Sequence, residues 1–249
     1  MSLLAGKVAV ITGASSGIGR AIALKFAAEG AALVLNARGE VDLQDLADQI
    51  TSSGGKAVAV AGDVARAETH DRIVQRAKEV LGGIDIAVNN AGIIGPFKPL
   101  ADVSVEEWNQ PLSVNLTGSF LGARAQIPAL IDRGGGALIF VSSFVGTSAG
   151  MPGMTPYAAS KAGLMGLVKG ITADYATQGI RANALLPGGT DTPAAGDQAR
   201  KDWAAGLHAL KRIARPDEIA NAALFLASPM ASFVAGSALY ADGGNAAVK

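Results

Sequence analysis

The sequence predicts an α/β fold, a doubly wound parallel sheet of about seven strands with helices on both faces. Three observations carry that expectation. Short apolar runs alternate with helix-period segments through the first half of the chain. The runs are apolar throughout, as strands covered on both faces are. Hydrophobic residues make up 49% of the 249 residues and aromatics only 5%, so the core must be built from Ala, Val, Ile and Leu.

The elements follow in order. Lys7–Ile11 is a short β-rich run, followed by a glycine turn and an apolar-periodic helix from about Ile18 to Glu29. Gly30 closes that helix, as glycine does just past a C-cap. Ala32–Leu35 is the second strand, and Leu43–Ser52 a helix closed by Ser53-Gly54-Gly55. Ala57–Ala61 is the third strand, Glu68–Leu81 a helix closed by Gly82-Gly83, and Ile84–Val88 the fourth strand. A helical stretch through Val103–Ile131 comes next, then strand Ala137–Val141, the helix carrying Tyr157 to about Thr177, and strand Arg181–Leu186. Pro111 should kink or restart the first of these helices, because proline lacks an amide donor and clashes with the preceding turn. A last helix, Pro216–Ala227, precedes a short strand near Ser237–Tyr240. The βαβαβ order predicts right-handed crossovers. No linker-like tract divides the chain, so residues 1–249 read as one domain.

Composition removes several functions. The formal net charge is +0 and no long Lys/Arg cluster appears, which argues against a nucleic-acid surface. There are no cysteines, so disulfides, thiolate catalysis and cysteine-bound metal are excluded. The two histidines, His70 and His208, lack ligand-spaced partners, so no metal site is expected, and His208 reads as an incidental surface residue rather than one lining the substrate lid. Residues 1–7 are too short for a signal peptide, and no stretch approaches the roughly 20 apolar residues of a membrane span. The expectation is a soluble cytoplasmic protein.

Two motifs carry chemistry. Thr12-Gly13-Ala14-Ser15-Ser16-Gly17-Ile18-Gly19 joins the first strand to the first helix. Glycines there let the backbone approach a pyrophosphate, and the helix start offers free amides and a positive dipole end. The spacing is Gly-x-x-x-Gly-x-Gly, unlike the Gly-x-Gly-x-x-Gly of the standard dinucleotide fingerprint. The second motif is Tyr157-Ala158-Ala159-Ser160-Lys161, with Ser142-Ser143 upstream. Four residues span one helical turn, so phenol and ammonium share a face. A cation beside the phenol should pull its pKa down from about 10 and fit it for proton transfer. Successive strand residues face opposite sides, so only one of the two serines can point at the tyrosine.

The glycine turn, Asn89-Asn90-Ala91-Gly92 after the fourth strand, Ser143/Tyr157/Lys161, Pro187-Gly188 after the sixth strand and Asp242-Gly243-Gly244 occur in that order. Together they resemble the short-chain dehydrogenase/reductase family in its compact, Rossmann-type single-domain form, over essentially the whole chain. That resemblance implies one dinucleotide-binding catalytic domain. It implies a serine (Ser143, by its place in Ser-Ser-x-x-Gly) on the substrate oxygen, Tyr157 as proton donor and acceptor, and Lys161 on the tyrosine and the nicotinamide ribose. It also implies an asparagine, matched by Asn115, in a water-linked proton path. For the cofactor it implies contacts from Gly13, Ser15, Ser16, Gly17, Ile18 and Gly19 and from Asp63 and Val64 at the adenine. Asn90, Ala91 and Gly92 follow, then Pro187, Gly188, Thr190 and Thr192 near the nicotinamide. Asp191 is an acid among these groups with no evident role.

Ala37 stands where NAD-selective relatives carry aspartate, and Arg38 follows it, so NADP is the expected cofactor, with NAD possible. Glu40 and Asp42 are close enough to blunt the preference. Residues 93–97, 144–156 and 193–210 should frame a mostly apolar pocket for an uncharged or amphipathic carbonyl or alcohol. One substrate the resemblance raises is a 3-oxoacyl carrier-protein. Arg200, Lys201, Lys211 and Arg212 read as solvated helix charges that could also greet an acidic carrier. Small residues on the Tyr157 helix, together with the resemblance, imply a homo-oligomer, tetramer or dimer. The competing reading is a catalytically retired nucleotide-binding regulator or scaffold. A sugar-nucleotide epimerase also uses tyrosine and lysine but needs a larger substrate domain.

Overall fold

The computed structural model describes residues 2–248. Its strands are β1 (Val8–Thr12), β2 (Ala32–Ala37), β3 (Lys56–Ala61), β4 (Ile86–Asn89), β5 (Gly136–Val141), β6 (Ile180–Pro187) and β7 (Ala238–Ala241). They form one seven-stranded sheet in the order β3-β2-β1-β4-β5-β6-β7. Every neighbouring pair is parallel. The chain runs outward from β1 to β3 and then returns to place β4 on the other side of β1. That reversal opens a crevice beyond the carboxyl ends of β1 and β4, the usual place for a ligand in such sheets.

The helices are α1 (Gly17–Ala28), α2 (Glu40–Ser52), α3 (Ala67–Arg76), α4 (Val105–Pro111), α5 (Gly118–Asp132), α6 (Thr155–Tyr175), α7 (Gln198–Gly206) and α8 (Pro216–Ala227). Strand alternation splits the core in two. Ala9 and Ile11 point to one face, where α1 (Ile22, Phe26), α2 (Leu43, Leu46) and α8 (Ile219, Ala223) cover them. Val10 points to the other, under α3 (Ile73), α5 (Ala123, Leu130) and α6 (Leu164, Val168). Phe26 and Phe140 are fully buried on opposite faces. Each such side chain contributes roughly 1.5–3 kcal/mol of burial. No described helix is long and apolar enough to cross a membrane.

Three expected elements differ in detail. The stretch Val103–Ile131 is not one helix. α4 ends at Pro111, and a π-helical turn, Leu112–Thr117, joins it to α5. The proline lacks an amide for the ladder, and the widened turn accommodates the defect. Glu68–Leu81 likewise ends in a π-helical turn, Ala77–Leu81, stopped by Gly82 at φ 84. β4 starts at Ile86, because Asp85 turns its carboxylate to accept the Val8 amide at 2.9 Å.

Candidate active site

The glycine turn is built from backbone. β1 ends at Thr12, and Gly13 and Gly17 adopt φ of +64 and +54, which side-chain-bearing residues avoid. A Cβ on Gly13 would lie 2.9 Å from the Cα of Ala91, and one on Gly19 would overlap the Gly13 carbonyl oxygen. The Asn90 amide donates to the carbonyls of Thr12 at 2.9 Å and Gly13 at 3.3 Å. The Thr12 hydroxyl accepts the N–H groups of Asn90 at 3.0 Å and Ala91 at 3.1 Å. Asn90 and Ala91 thus clamp the turn from the end of β4. Ser16 sits extended at the start of α1 with no side-chain cap, which leaves the first amides of that helix to an anion. This donor set fits a pyrophosphate.

A cleft of about 510 Å³ runs from this turn across the carboxyl ends of the strands. Gly13, Ser15, Ser16, Gly17, Ile18 and Gly19 line it at one end, with Arg38 after β2 and Asp63 and Val64 after β3. Asn90, Ala91 and Gly92 line its middle, with Pro187, Gly188, Thr190 and Thr192 opposite. Arg38 is exposed and, among the described residues, pairs with neither Glu40 nor Asp42, so its guanidinium is available to a phosphate. Asp63 accepts the Ala65 amide at 2.9 Å and forms a local turn; the N-cap of α3 is Arg66.

Beyond the turn, the structure brings Ser143, Tyr157 and Lys161 together on the cleft wall. The Ser143 hydroxyl is near enough to the Tyr157 phenol to favour its ionised form, and Ser143 Oγ accepts the Val145 amide at 3.1 Å. Ser142 is engaged elsewhere, donating to the Lys161 carbonyl at 2.8 Å. The Lys161 ammonium donates to the Val141 carbonyl at 2.7 Å and lies 5.8 Å from the centre of the Tyr157 ring.

The expectation of an acidified phenol is not met in this arrangement. Burial pushes the Tyr157 pKa up, offset in part by the neighbouring Ser143 hydroxyl. Burial also pushes Lys161 down, to about 8. Desolvation disfavours the charged form of each group, and the two shifts bring the phenol and the amine into reversed order.

Asn115 sits behind the cleft wall, fully buried in the π-helical turn. Its side chain takes the Ile93 amide at 2.8 Å and gives its own N–H groups to the Ile93 carbonyl and to Ser160 Oγ, both at 2.9 Å. Ser160 Oγ in turn donates to the Tyr157 carbonyl at 2.7 Å. A Cβ on Gly92 would stand 3.1 Å from Asn115 Oδ1 and 3.2 Å from Lys161 Nζ. Asn115 therefore ties the loop after β4 to the helix of Tyr157.

At the far end the lining turns apolar, with Ile94, Phe97, Met151, Met154, Trp203 and Leu207. Arg200 and Lys201 stand on a helix, as the sequence suggests without setting its bounds; this helix, α7, supplies Trp203, and its N-cap Asp197 accepts the Arg200 amide at 3.0 Å. His208 is not a surface residue. It is 1% exposed, lines the cleft, packs edge-on to Phe144 and accepts the Gly189 amide on Nε2 at 3.0 Å. A side chain at Gly188 or Gly189 would collide with its ring. Only its place one residue after Leu207 could have signalled this. Asp191 also finds its role. It turns away to bond Lys201 at 2.7 Å, fastening the loop after β6 to α7. His70 is buried and bonded to the Val64 carbonyl at 2.8 Å, and no cluster able to hold a metal occurs among the described residues.

Comparison with known proteins agrees with this architecture. Residues 13–246 match a family model described as "Enoyl-(Acyl carrier protein) reductase". The chain is 38% identical over its full length and that of a 2,5-dichloro-2,5-cyclohexadiene-1,4-diol dehydrogenase of Sphingobium indicum. It superposes with a TM-score of 0.92 on a short-chain type dehydrogenase/reductase of Mycobacterium marinum, 37% identical, covering 97% of this chain and 96% of that one. A Beutenbergia cavernae structure holding NADP at low occupancy matches at a TM-score of 0.91 and 35% identity, with 98% of each chain covered.

Proposed function

This chain belongs to the short-chain dehydrogenase/reductase family, and we propose that it moves a hydride between NADP(H) and a mainly apolar ketone or secondary alcohol. The observation that carries the reading is the meeting of Ser143, Tyr157 and, one turn further along α6, Lys161 on the wall of the cleft that begins at the glycine turn.

The roles follow from placement. The Ser143 hydroxyl holds the substrate oxygen and orients the phenol. The Tyr157 phenol gives its proton to that oxygen as the carbonyl is reduced and takes one from the alcohol in the reverse direction. The Lys161 ammonium, anchored on Val141, offers positive charge to a developing phenolate and a donor to a ribose hydroxyl. Bound NADP(H) would supply or accept the hydride. Gly13 to Gly19 and the start of α1 would hold its pyrophosphate, and Arg38 its ribose phosphate. The apolar far end excludes water from the reacting carbon.

The regulator reading gains no support from a site in which Ser143, Tyr157 and Lys161 meet. An oligomer is supported by α6, where a Cβ at Gly166 or Gly170 would meet nothing within 4 Å, leaving that face open to a second copy. A panel of ketones and secondary alcohols assayed with NADPH, NADH and their oxidised forms tests the reaction. Turnover with NADPH preferred is the expected result, and Arg38→Ala should lower the NADPH-over-NADH preference by about tenfold or more. Cofactor binding with no turnover across the panel would return the regulator.

A further inference from the structure

We propose that Arg200 selects the substrate: its guanidinium, laid on Phe97 at the mouth of the cleft, receives a carboxylate on the end of the substrate remote from the reacting carbon. The inference rests on the hydride-transfer reading and adds a substrate class to it.

α7 turns Arg200, Trp203 and Ala204 to the cleft, and Leu207 continues the same face just past its end. That is the i, i+3, i+4, i+7 spacing of one helical face. Arg200 is the charge in an otherwise apolar stripe. The other cations nearby are spoken for. Lys201 bonds Asp191 and Lys98 bonds Glu107, both at 2.7 Å, and Arg212 makes a two-pronged bond to Glu218. Of the two acids nearest in sequence, Asp202 accepts the Gln198 side-chain amide at 2.7 Å and Asp197 accepts the Arg200 backbone amide at 3.0 Å. Among the described residues the Arg200 guanidinium has no carboxylate partner within 4.0 Å.

What it has is a platform. The guanidinium carbon lies 4.8 Å from the centre of the Phe97 ring, inside the range of a cation–π contact. The contact leaves the guanidinium N–H groups without a hydrogen-bond partner among the described residues, and such a planar fork binds a carboxylate with two parallel hydrogen bonds. Gly196, at φ +81, leaves room for the stem, since a Cβ there would press 2.8 Å from Arg200 Cδ. The cleft thus has hydroxyls at Ser143 and Tyr157, apolar walls, and one placed cation at its mouth. A ketone or alcohol with an apolar middle and an anionic tail matches all three.

The test uses matched ketones with NADPH: cyclohexanone, and straight-chain ketones, each bearing either a methyl group or a carboxylate on the carbon farthest from the carbonyl. The wild-type protein should favour the carboxylate members by about tenfold or more in kcat/KM, the strength of a charge-assisted hydrogen bond. Arg200→Gln should bring that ratio towards one, chiefly through the KM of the acid, and Phe97→Leu should give an intermediate ratio. Raised salt should shrink the preference. Reduction of the methyl members without preference for the acids, or the same ratio in Arg200→Gln, overturns the assignment while leaving the hydride-transfer reading intact. Turnover of no member of any pair, with NADPH still bound, overturns both.

Discussion

The two ends of the cleft are made differently. The cofactor end is fixed by backbone: Gly13 against Ala91, Gly19 against Gly13, and Asn90 and Thr12 exchanging hydrogen bonds with the main chain across β1 and β4. The substrate end is fixed by side chains on loops and a short helix: Arg200 on Phe97, Asp191 on Lys201, His208 under Gly189. A backbone cradle admits almost no substitution and binds what every such turn binds. A side-chain frame can be repainted one residue at a time, so specificity belongs there. Tyr157 and Ser143 stand at the junction.

The largest effect should come from the junction itself. Tyr157→Phe should lower kcat by about 10²–10⁴-fold, the worth of a placed proton donor, while NADPH affinity measured by fluorescence titration stays within about twofold. Equal loss of binding and turnover would erase the division between the ends. A glycine pair sharpens it next. Gly19→Ala should cost about 1–3 kcal/mol of stability and weaken NADPH, because the added methyl meets the Gly13 carbonyl. Gly206→Ala in α7 should leave the melting temperature and NADPH affinity unmoved, since nothing lies within 4 Å of its Cβ position. A pH-dependent effect concerns Lys161. Its pKa falls to about 8 on folding, from 10.5, so the unfolded chain binds the proton more tightly. The resulting cost is fully present below about pH 8 and fades as pH rises towards 10.5. Lys161→Met should therefore raise stability by about 1–3 kcal/mol at neutral pH while removing activity, and melting curves across pH should show that gain shrinking in alkali.

The same division explains what the sequence disclosed. The seven strands, the glycine turn and the Tyr157–Lys161 spacing are local patterns, set by period, by turn chemistry and by one helical turn. Every residue expected at the cofactor lines the cleft. The side-chain frame depends on partners far apart in sequence, and no local pattern announces them. Asp191 made no sense until Lys201 came to it. His208 looked incidental until the loop after β6 was seen to rest on its ring. The Tyr157 pKa went the other way because burial is a property of the whole fold, while the spacing to Lys161 is not.

The π-helical turn after Pro111 sets the phase of everything downstream. Each residue of an ordinary helix advances the side-chain direction by about 100°. The widened turn absorbs an extra residue, so α5 keeps its phase and holds Ala123 and Leu130 on the sheet while Asn115, inside the turn, reaches Ile93. A single extra residue thus lets two joined helices pack a core at one end and brace a reaction centre at the other.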